Sequence, residues 1–326
     1  MVAVSPRGGY ILKPDLERGG VPRDREAPGG LPENVWRVQP GEYDRNVNGL
    51  EAVVRFDRVS MRHGPGPEIL QDVGFNLRPG GFCVLTGEGR TGKTSFLRLI
   101  AMELQPNRGH IEIFGRRTDG LRVAARQALR RRMGIVFQDC RLIEQLSIVE
   151  NVALPLRLAG EGGDAALAMA QDLLHWLGLK GAARNALGGH GTRGNEVDSL
   201  SPAQRRCVAV ARAVIARPRL LLADEPIAGL DEATAERVLY LFDEMNRNGT
   251  AVLIATRQSK LADRFPGAQL RLERGKLLLP PSAGPVRMRP SVSMAPLPME
   301  TDPGSSDSGA PQPNVAAAPL SSWRPA

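Results

Sequence analysis

One stretch of eight residues limits the fold of this chain more than any other: Gly87-Glu88-Gly89-Arg90-Thr91-Gly92-Lys93-Thr94 fits G-x-x-x-x-G-K-[ST] at every fixed position. The apolar run Phe82 to Leu85 precedes it, and Phe96, Leu97, Ile100, Met102 and Leu104 follow with mainly helical spacing up to Pro106 and Gly109. A strand, a glycine loop and a helix in that order form a cradle for phosphate. Glycine lets successive N–H groups turn toward phosphate oxygens, and the helix start adds its positive end. Gly87, Glu88, Gly89, Arg90, Thr91, Gly92 and Ser95 are therefore expected around the phosphates, with Lys93 bridging the β- and γ-positions and Thr94 offering a hydroxyl to Mg²⁺.

A second component stands 131 residues beyond Lys93, where Leu220-Leu221-Leu222-Ala223 runs into Asp224-Glu225. An apolar strand ending in two carboxylates supplies one for a metal shell, Asp224, and one to orient or deprotonate water, Glu225. Other short apolar runs, Ile135 to Phe137 and Val252 to Ala255, alternate with helical patterns and imply a parallel sheet. Val53 to Phe56 and Phe75 to Leu77 flank the turn-rich Gly64-Pro65-Gly66-Pro67, which predicts an antiparallel hairpin. Leu270 to Leu272 and Leu277 to Leu279 predict a closing hairpin.

Proline and charge mark the limits of this region. Of 26 prolines in 326 residues, 6 fall in residues 1–50 and 10 in 281–326, so both ends read as disordered extensions around a folded 51–280. Each end is balanced in charge, which assigns the whole net +8 to the middle. A basic middle attracts phosphorylated ligands, nucleic acid or an anionic membrane face. Interleaved aromatics and a recognition motif are missing, so no nucleic-acid partner is expected. No apolar run approaches a membrane span and the start lacks an apolar leader, which predicts a chain that neither crosses a membrane nor is exported by that route. Three scattered cysteines, Cys83, Cys140 and Cys207, suit a reducing compartment. With His63, His110, His175 and His190 they show no metal-ligand spacing.

Between the two phosphate-site motifs, Phe137-Gln138-Asp139 resembles a Q-loop and Leu200-Ser201-Pro202-Ala203-Gln204 occupies the place of the signature Leu-Ser-Gly-Gly-Gln. Arg205-Arg206, a helical run, Arg217-Pro218, the carboxylate strand and Gly229-Leu230-Asp231, which resembles a D-loop, follow in order. Over residues 52–280 the chain therefore resembles the ATP-binding cassette ATPases. That resemblance implies an α/β fold: a P-loop nucleotide-binding domain with a mostly parallel sheet, an antiparallel β subdomain and a helical subdomain. It also implies ATP and Mg²⁺ as cofactors, with Gln138 touching the metal or the attacking water, and His63 placed where an aromatic side chain stacks on adenine. A homodimer is implied too, in which Ser201 and Gln204 of one subunit close over nucleotide held by the other and Asp231 links the two sites. The stretches Phe137 to Ile143 and Val149 to Leu156 are similar to the cell-division members of the family, which sit on the cytoplasmic face of the inner membrane under a transmembrane partner. The lipoprotein-releasing members share much of the same wording.

Several positions depart from the family pattern. Pro202 brings no backbone N–H and Ala203 adds a Cβ where glycines are usual, which is expected to weaken closure. Arg257 stands where the switch histidine belongs, and Arg90 replaces a loop glycine. Arginine stays charged and forks toward phosphate or carboxylate, so Arg257 is a candidate for stabilising charge in catalysis. These departures leave open an ATP-gated interaction module with little turnover. The run Arg130-Arg131-Arg132, one turn after Arg126, reads as a solvated helix face or a patch for anionic headgroups.

Overall fold

A computed structural model describes residues 2–4, 10–12, 52–179, 197–258, 261, 265 and 268–278. The remainder of both tails, the glycine-rich stretch before the signature, His190 and Leu279 lie outside the described residues. One sheet contains β1 (Val2–Val4), β2 (Tyr10–Leu12), β3 (Val54–Arg62) and β4 (Glu68–Leu77). The chain then passes through β5 (Phe82–Thr86) and α1 (Lys93–Ile100) before β6 (Arg108–Ile113) and β7 (Arg116–Arg117) return to that sheet. Its order is β1-β2-β4-β3-β6-β7. The reading of residues 1–50 as an extension did not anticipate the first two strands. The early hairpin forms with Val54 opposite Leu77 and Phe56 opposite Phe75. It runs longer than its apolar ends suggest, because bulges at left-handed Arg58 and Asp72 carry polar residues along the strands.

The second sheet holds β5 among strands that follow α2 (Val123–Arg130): β8 (Met133–Val136), β9 (Leu220–Asp224), β10 (Ala251–Thr256), β11 (Ala268–Glu273) and β12 (Lys276–Leu278). Its order, β12-β11-β5-β10-β9-β8, is parallel except for the closing hairpin, where Leu272 pairs with Leu277. Both faces of this sheet are covered, as continuous apolar strands require. Leu221, Ala223, Val252 and Ile254 join one core with the helices, while Leu220, Leu222, Leu253, Cys83 and Leu85 join the other, against α1 and the first sheet. Phe96 of α1 packs in that second core with ring centroids 4.8 Å from Phe56 and 5.2 Å from Phe75. The helix ends at Ile100, short of the predicted stop, because Met102 takes a left-handed backbone at φ 56°.

The helical part comprises α3 (Ile148–Ala159), α4 (Asp164–Trp176) and α5 (Pro202–Val214); α6 (Glu232–Arg247) follows β9. A capping box between Ser147 and Glu150 starts α3. Fully buried Asn151 fastens the preceding loop: its amide donates to the carbonyls of Ile143, Leu146 and Ser147 and its oxygen accepts from the Ile143 N–H. Helix α5 lies so close to β8 that a Cβ on Gly134 would stand 2.1 Å from the Ala213 carbonyl oxygen, so only glycine fits there. Among the described residues no helix is long and apolar enough to cross a membrane.

Candidate phosphate and carboxylate site

Three neighbouring parallel strands end together. Register pairs Thr256 with Thr86 and Ala255 with Asp224, so the loops leaving β5, β9 and β10 open on one edge of the sheet. That edge is where an open parallel sheet holds ligands. Gly87 and Gly92 shape the first loop. A Cβ on Gly87 would meet the Leu272 carbonyl oxygen at 2.6 Å, and Gly92 adopts φ 101° as the N-cap of α1. Thr91 donates its hydroxyl to the Glu88 carbonyl at 3.0 Å. Glu88, Gly89 and Arg90 are exposed at the tip. Arg90 sits at φ 64°, a left-handed conformation that costs a side-chain-bearing residue about 1 kcal/mol.

Lys93 is buried and curls back on its loop, donating to the carbonyls of Gly87 at 2.7 Å and Glu88 at 2.8 Å. The Thr94 hydroxyl donates to Asp224 Oδ2 at 2.7 Å. Burial pushes the Asp224 carboxyl above the ordinary range, against the hydrogen bond from Thr94, and burial pulls Lys93 down, against the nearby Glu225 and Asp224 charges. Both shifts disfavour the ionised form, so in the unliganded chain each group costs stability while charged. For Asp224 that cost develops as pH rises through and above the ordinary carboxylate range; for Lys93 it develops as pH falls below the ordinary lysine range. A polyphosphate with a divalent cation opposes both costs.

Gln138 is exposed and lines the same cleft of about 360 Å³ as Thr94 and Asp224, with Phe137 and Arg141 on its wall. Hydroxyl, carboxylate and amide oxygens are hard donors, few in number, and that chemistry suits Mg²⁺, which keeps several of its own waters. The donor set therefore fits the ion implied by the sequence.

Glu225 is buried and takes a left-handed backbone at φ 49°. Its Oε2 accepts from the Thr256 hydroxyl at 3.1 Å, while Oε1 accepts from the Arg257 N–H at 2.9 Å and from Arg257 Nε at 3.1 Å. Arg257 thus grips the carboxylate from the place of the switch histidine, although 62% of its side-chain surface remains exposed against 9% for Glu225. His63 lies beside α1, its ring Nε2 3.4 Å from the Ser95 hydroxyl, and is exposed.

The signature residues are occupied at the start of their own helix. Ser201 and Gln204 form a capping box, and Pro202 takes the first helical position, where its fixed φ suits the turn. With Gln204 N–H bound to Ser201 Oγ, the Ala203 N–H is the backbone donor left at this end. Asp231 caps α6 by accepting from the Thr234 N–H, which holds its exposed carboxyl below the ordinary range. Within the single chain no hydrogen bond among the described residues links Ser201, Gln204 or Asp231 to the phosphate loop.

Sequence reasoning missed the residues that tie these pieces together. Arg206 donates through Nη1 to the Glu225 carbonyl at 2.6 Å and through Nη2 to the Gln138 carbonyl at 3.5 Å. Arg212 donates to the Cys140 and Arg141 carbonyls at 2.6 and 2.7 Å, across a loop in which both residues are left-handed. The sequence signal was present: Arg206 and Arg212 stand on either side of the apolar run Cys207 to Ala211, which the helix buries. Arg130, read as part of a solvated run, instead joins Arg98 and Arg141 around Glu103. All three cysteines are free and buried, and burial raises Cys207 to about 11, which keeps that thiol protonated.

Residues 70–228 match the ABC transporter family. The cell division ATP-binding protein FtsE of Escherichia coli K12 is 36% identical over 225 residues, covering 69% of this chain and 97% of that protein. The lipoprotein-releasing system ATP-binding protein LolD of Bordetella avium is 34% identical over 234 residues, covering 70% and 97% respectively. Among solved structures, a dimeric ATP-binding cassette in a post-hydrolysis state bound to ADP and Pi superposes with a TM-score of 0.58 at 27% identity, covering 69% of this chain and 96% of that one. With its phosphate loop, carboxylate strand and signature helix in family order, the chain belongs to the ATP-binding cassette ATPases and is similar to FtsE.

Proposed function

We propose that this chain hydrolyses ATP as the nucleotide-binding subunit of an FtsE/FtsX-type complex in cell division, closing as a homodimer and passing that motion to an FtsX-like transmembrane protein. The observation that carries the reading is Glu225, next in the chain to the Asp224 that accepts from Thr94, with its carboxylate held by Thr256 and Arg257. Lys93 leaves its loop carbonyls for the β- and γ-phosphates, exchanging neutral acceptors for charged ones. Mg²⁺ held by Thr94, Asp224 and Gln138 would neutralise phosphate charge. Glu225 orients or deprotonates water once Oε1 is released, and Arg257 is placed to move its guanidinium from that oxygen to the terminal phosphate. Opposite this site, Ser201, Gln204 and the free Ala203 N–H of a second copy supply the closing contacts. The complex would sit at the cytoplasmic face of the inner membrane, held there by its partner.

Steady-state phosphate release tests the chemistry. Glu225→Gln should lower turnover about a hundredfold or more while nucleotide still binds. An undiminished rate would leave an ATP-gated interaction module, a reading favoured by the Arg257 grip on Glu225. The similarity to LolD supports a second cellular role, lipoprotein release. Affinity capture from membranes separates the two: an FtsX-like protein supports the first, a lipoprotein-release permease the second.

A further inference from the structure

At the opposite end of the parallel sheet, positive charge accumulates without an acid among the described residues to match it. Arg132 immediately precedes β8 and Arg219 immediately precedes β9; Met133 and Leu220 are paired in register, and the Arg219 N–H donates to the Arg132 carbonyl at 2.9 Å. Both guanidinium groups approach one aromatic ring, Arg132 at 4.2 Å and Arg219 at 5.7 Å from the centroid of Phe114. The ring is presented by the tight turn between β6 and β7, where Ile113 pairs with Arg116 and both central residues are left-handed, Phe114 at φ 50° and Gly115 at φ 74°. A bulky residue in that conformation is strained, yet it lets one ring serve two arginines. Arg116, exposed on β7, adds a third positive charge whose field, with that of Arg219 and after burial, holds Arg132 below its ordinary range.

None of the three makes an ion pair with a carboxylate among the described residues. Acids are available near by, and other arginines take them: Arg117 pairs with Asp119, Arg55 with Glu112, and Arg98, Arg130 and Arg141 with Glu103. Two half-buried guanidinium groups and a third beside them repel one another, and the cost falls when an anion sits between them. Planar forked donors suit phosphate oxygens. The cluster is also separate from the nucleotide cleft, since Arg219 and Asp224 flank the length of β9, about 16 Å at the rise of a strand.

We propose that Arg132 and Arg219 on the Phe114 ring, with Arg116 beside them, form a second anion site that takes a phosphate group, carried by a lipid headgroup or free in solution. The site lies outside the ATPase machinery and does not depend on turnover.

The test uses the full chain at low ionic strength with excess Mg-ADP, so that the phosphate loop does not compete. One arm measures co-sedimentation with phosphatidylcholine vesicles with and without phosphatidylglycerol; the other measures inorganic pyrophosphate uptake by calorimetry. Binding in the vesicle arm alone assigns the site to headgroups, and binding in the pyrophosphate arm assigns it to soluble phosphate. In either arm Arg219→Gln and Arg132→Gln should each weaken binding about tenfold, and Arg116→Gln about threefold, whereas Arg126→Gln should change it less than any of them. Arg116 is exposed, so its replacement keeps the test decisive should a half-buried variant fail to fold. Failure of the wild-type chain to bind either probe, or binding by Arg116→Gln or by a folded Arg219→Gln equal to wild type, would overturn the proposal.

Discussion

The two ends of β9 solve the problem of a buried charge in opposite ways. At the C-terminal end, Asp224 has the Thr94 hydroxyl, Glu225 has Thr256 and Arg257, and Lys93 has the Gly87 and Glu88 carbonyls, so each of these charges faces a partner within the chain. At the N-terminal end, Arg219 and Arg132 share the Phe114 ring, and neither pairs with an acid among the described residues. Matched charge keeps a site ordered until a ligand displaces the partners; Lys93 on its own loop carbonyls and Arg257 on Glu225 are such partners. Unmatched charge stores repulsion that an anion relieves. In the functions proposed above, one end exchanges contacts during a reaction and the other holds a counter-charge.

The largest test of this contrast is Lys93→Ala. Losing charge-assisted hydrogen bonds to two phosphates should weaken adenine-nucleotide binding about a hundredfold or more in calorimetry with magnesium, without affecting the arginine end. Unchanged affinity would break the account of the C-terminal end. Arg257→Ala is next: turnover should fall about tenfold or more with nucleotide affinity nearly unchanged. An unaltered rate would place Arg257 outside the chemistry, and a faster one would make it a clamp that holds Glu225 back. The smallest effect sharpens the other end. In urea unfolding without added anions, Arg219→Gln should leave stability within about 0.5 kcal/mol of wild type or raise it at low salt, with any gain shrinking as salt screens the repulsion. A loss of about 2 kcal/mol or more would show that Arg219 is held for packing on Phe114.

Most of the nucleotide end was legible because its chemistry is local. Gly87 to Thr94 is one contiguous turn, and Asp224-Glu225 ends one apolar run, so composition and spacing specified both without a fold. Departures were legible too, but their consequences were not. Pro202 reads as a lost donor; in the fold it also occupies the helix position that tolerates it best. Arg257 reads as a replacement for histidine, while its grip on Glu225 joins residues 32 apart across β9 and β10. Arg130-Arg131-Arg132 reads as one basic run, yet Arg130 turns to Glu103 and Arg132 to Phe114, because the helix ends between them and the strand takes over.

What the sequence determined alone was the phosphate cradle, the parallel strand pattern, the order of the family motifs and the two carboxylates. Each is written within a few consecutive residues whose backbone preferences and apolar periodicity act locally. Only the tertiary structure decided that Arg206 would span the Glu225 and Gln138 carbonyls, that Asn151 would fasten the loop before α3, and that two arginines would gather on Phe114 with a third near Arg132. Those contacts depend on strand order and register, which bring distant charges to one edge of a sheet and which no short window of residues specifies.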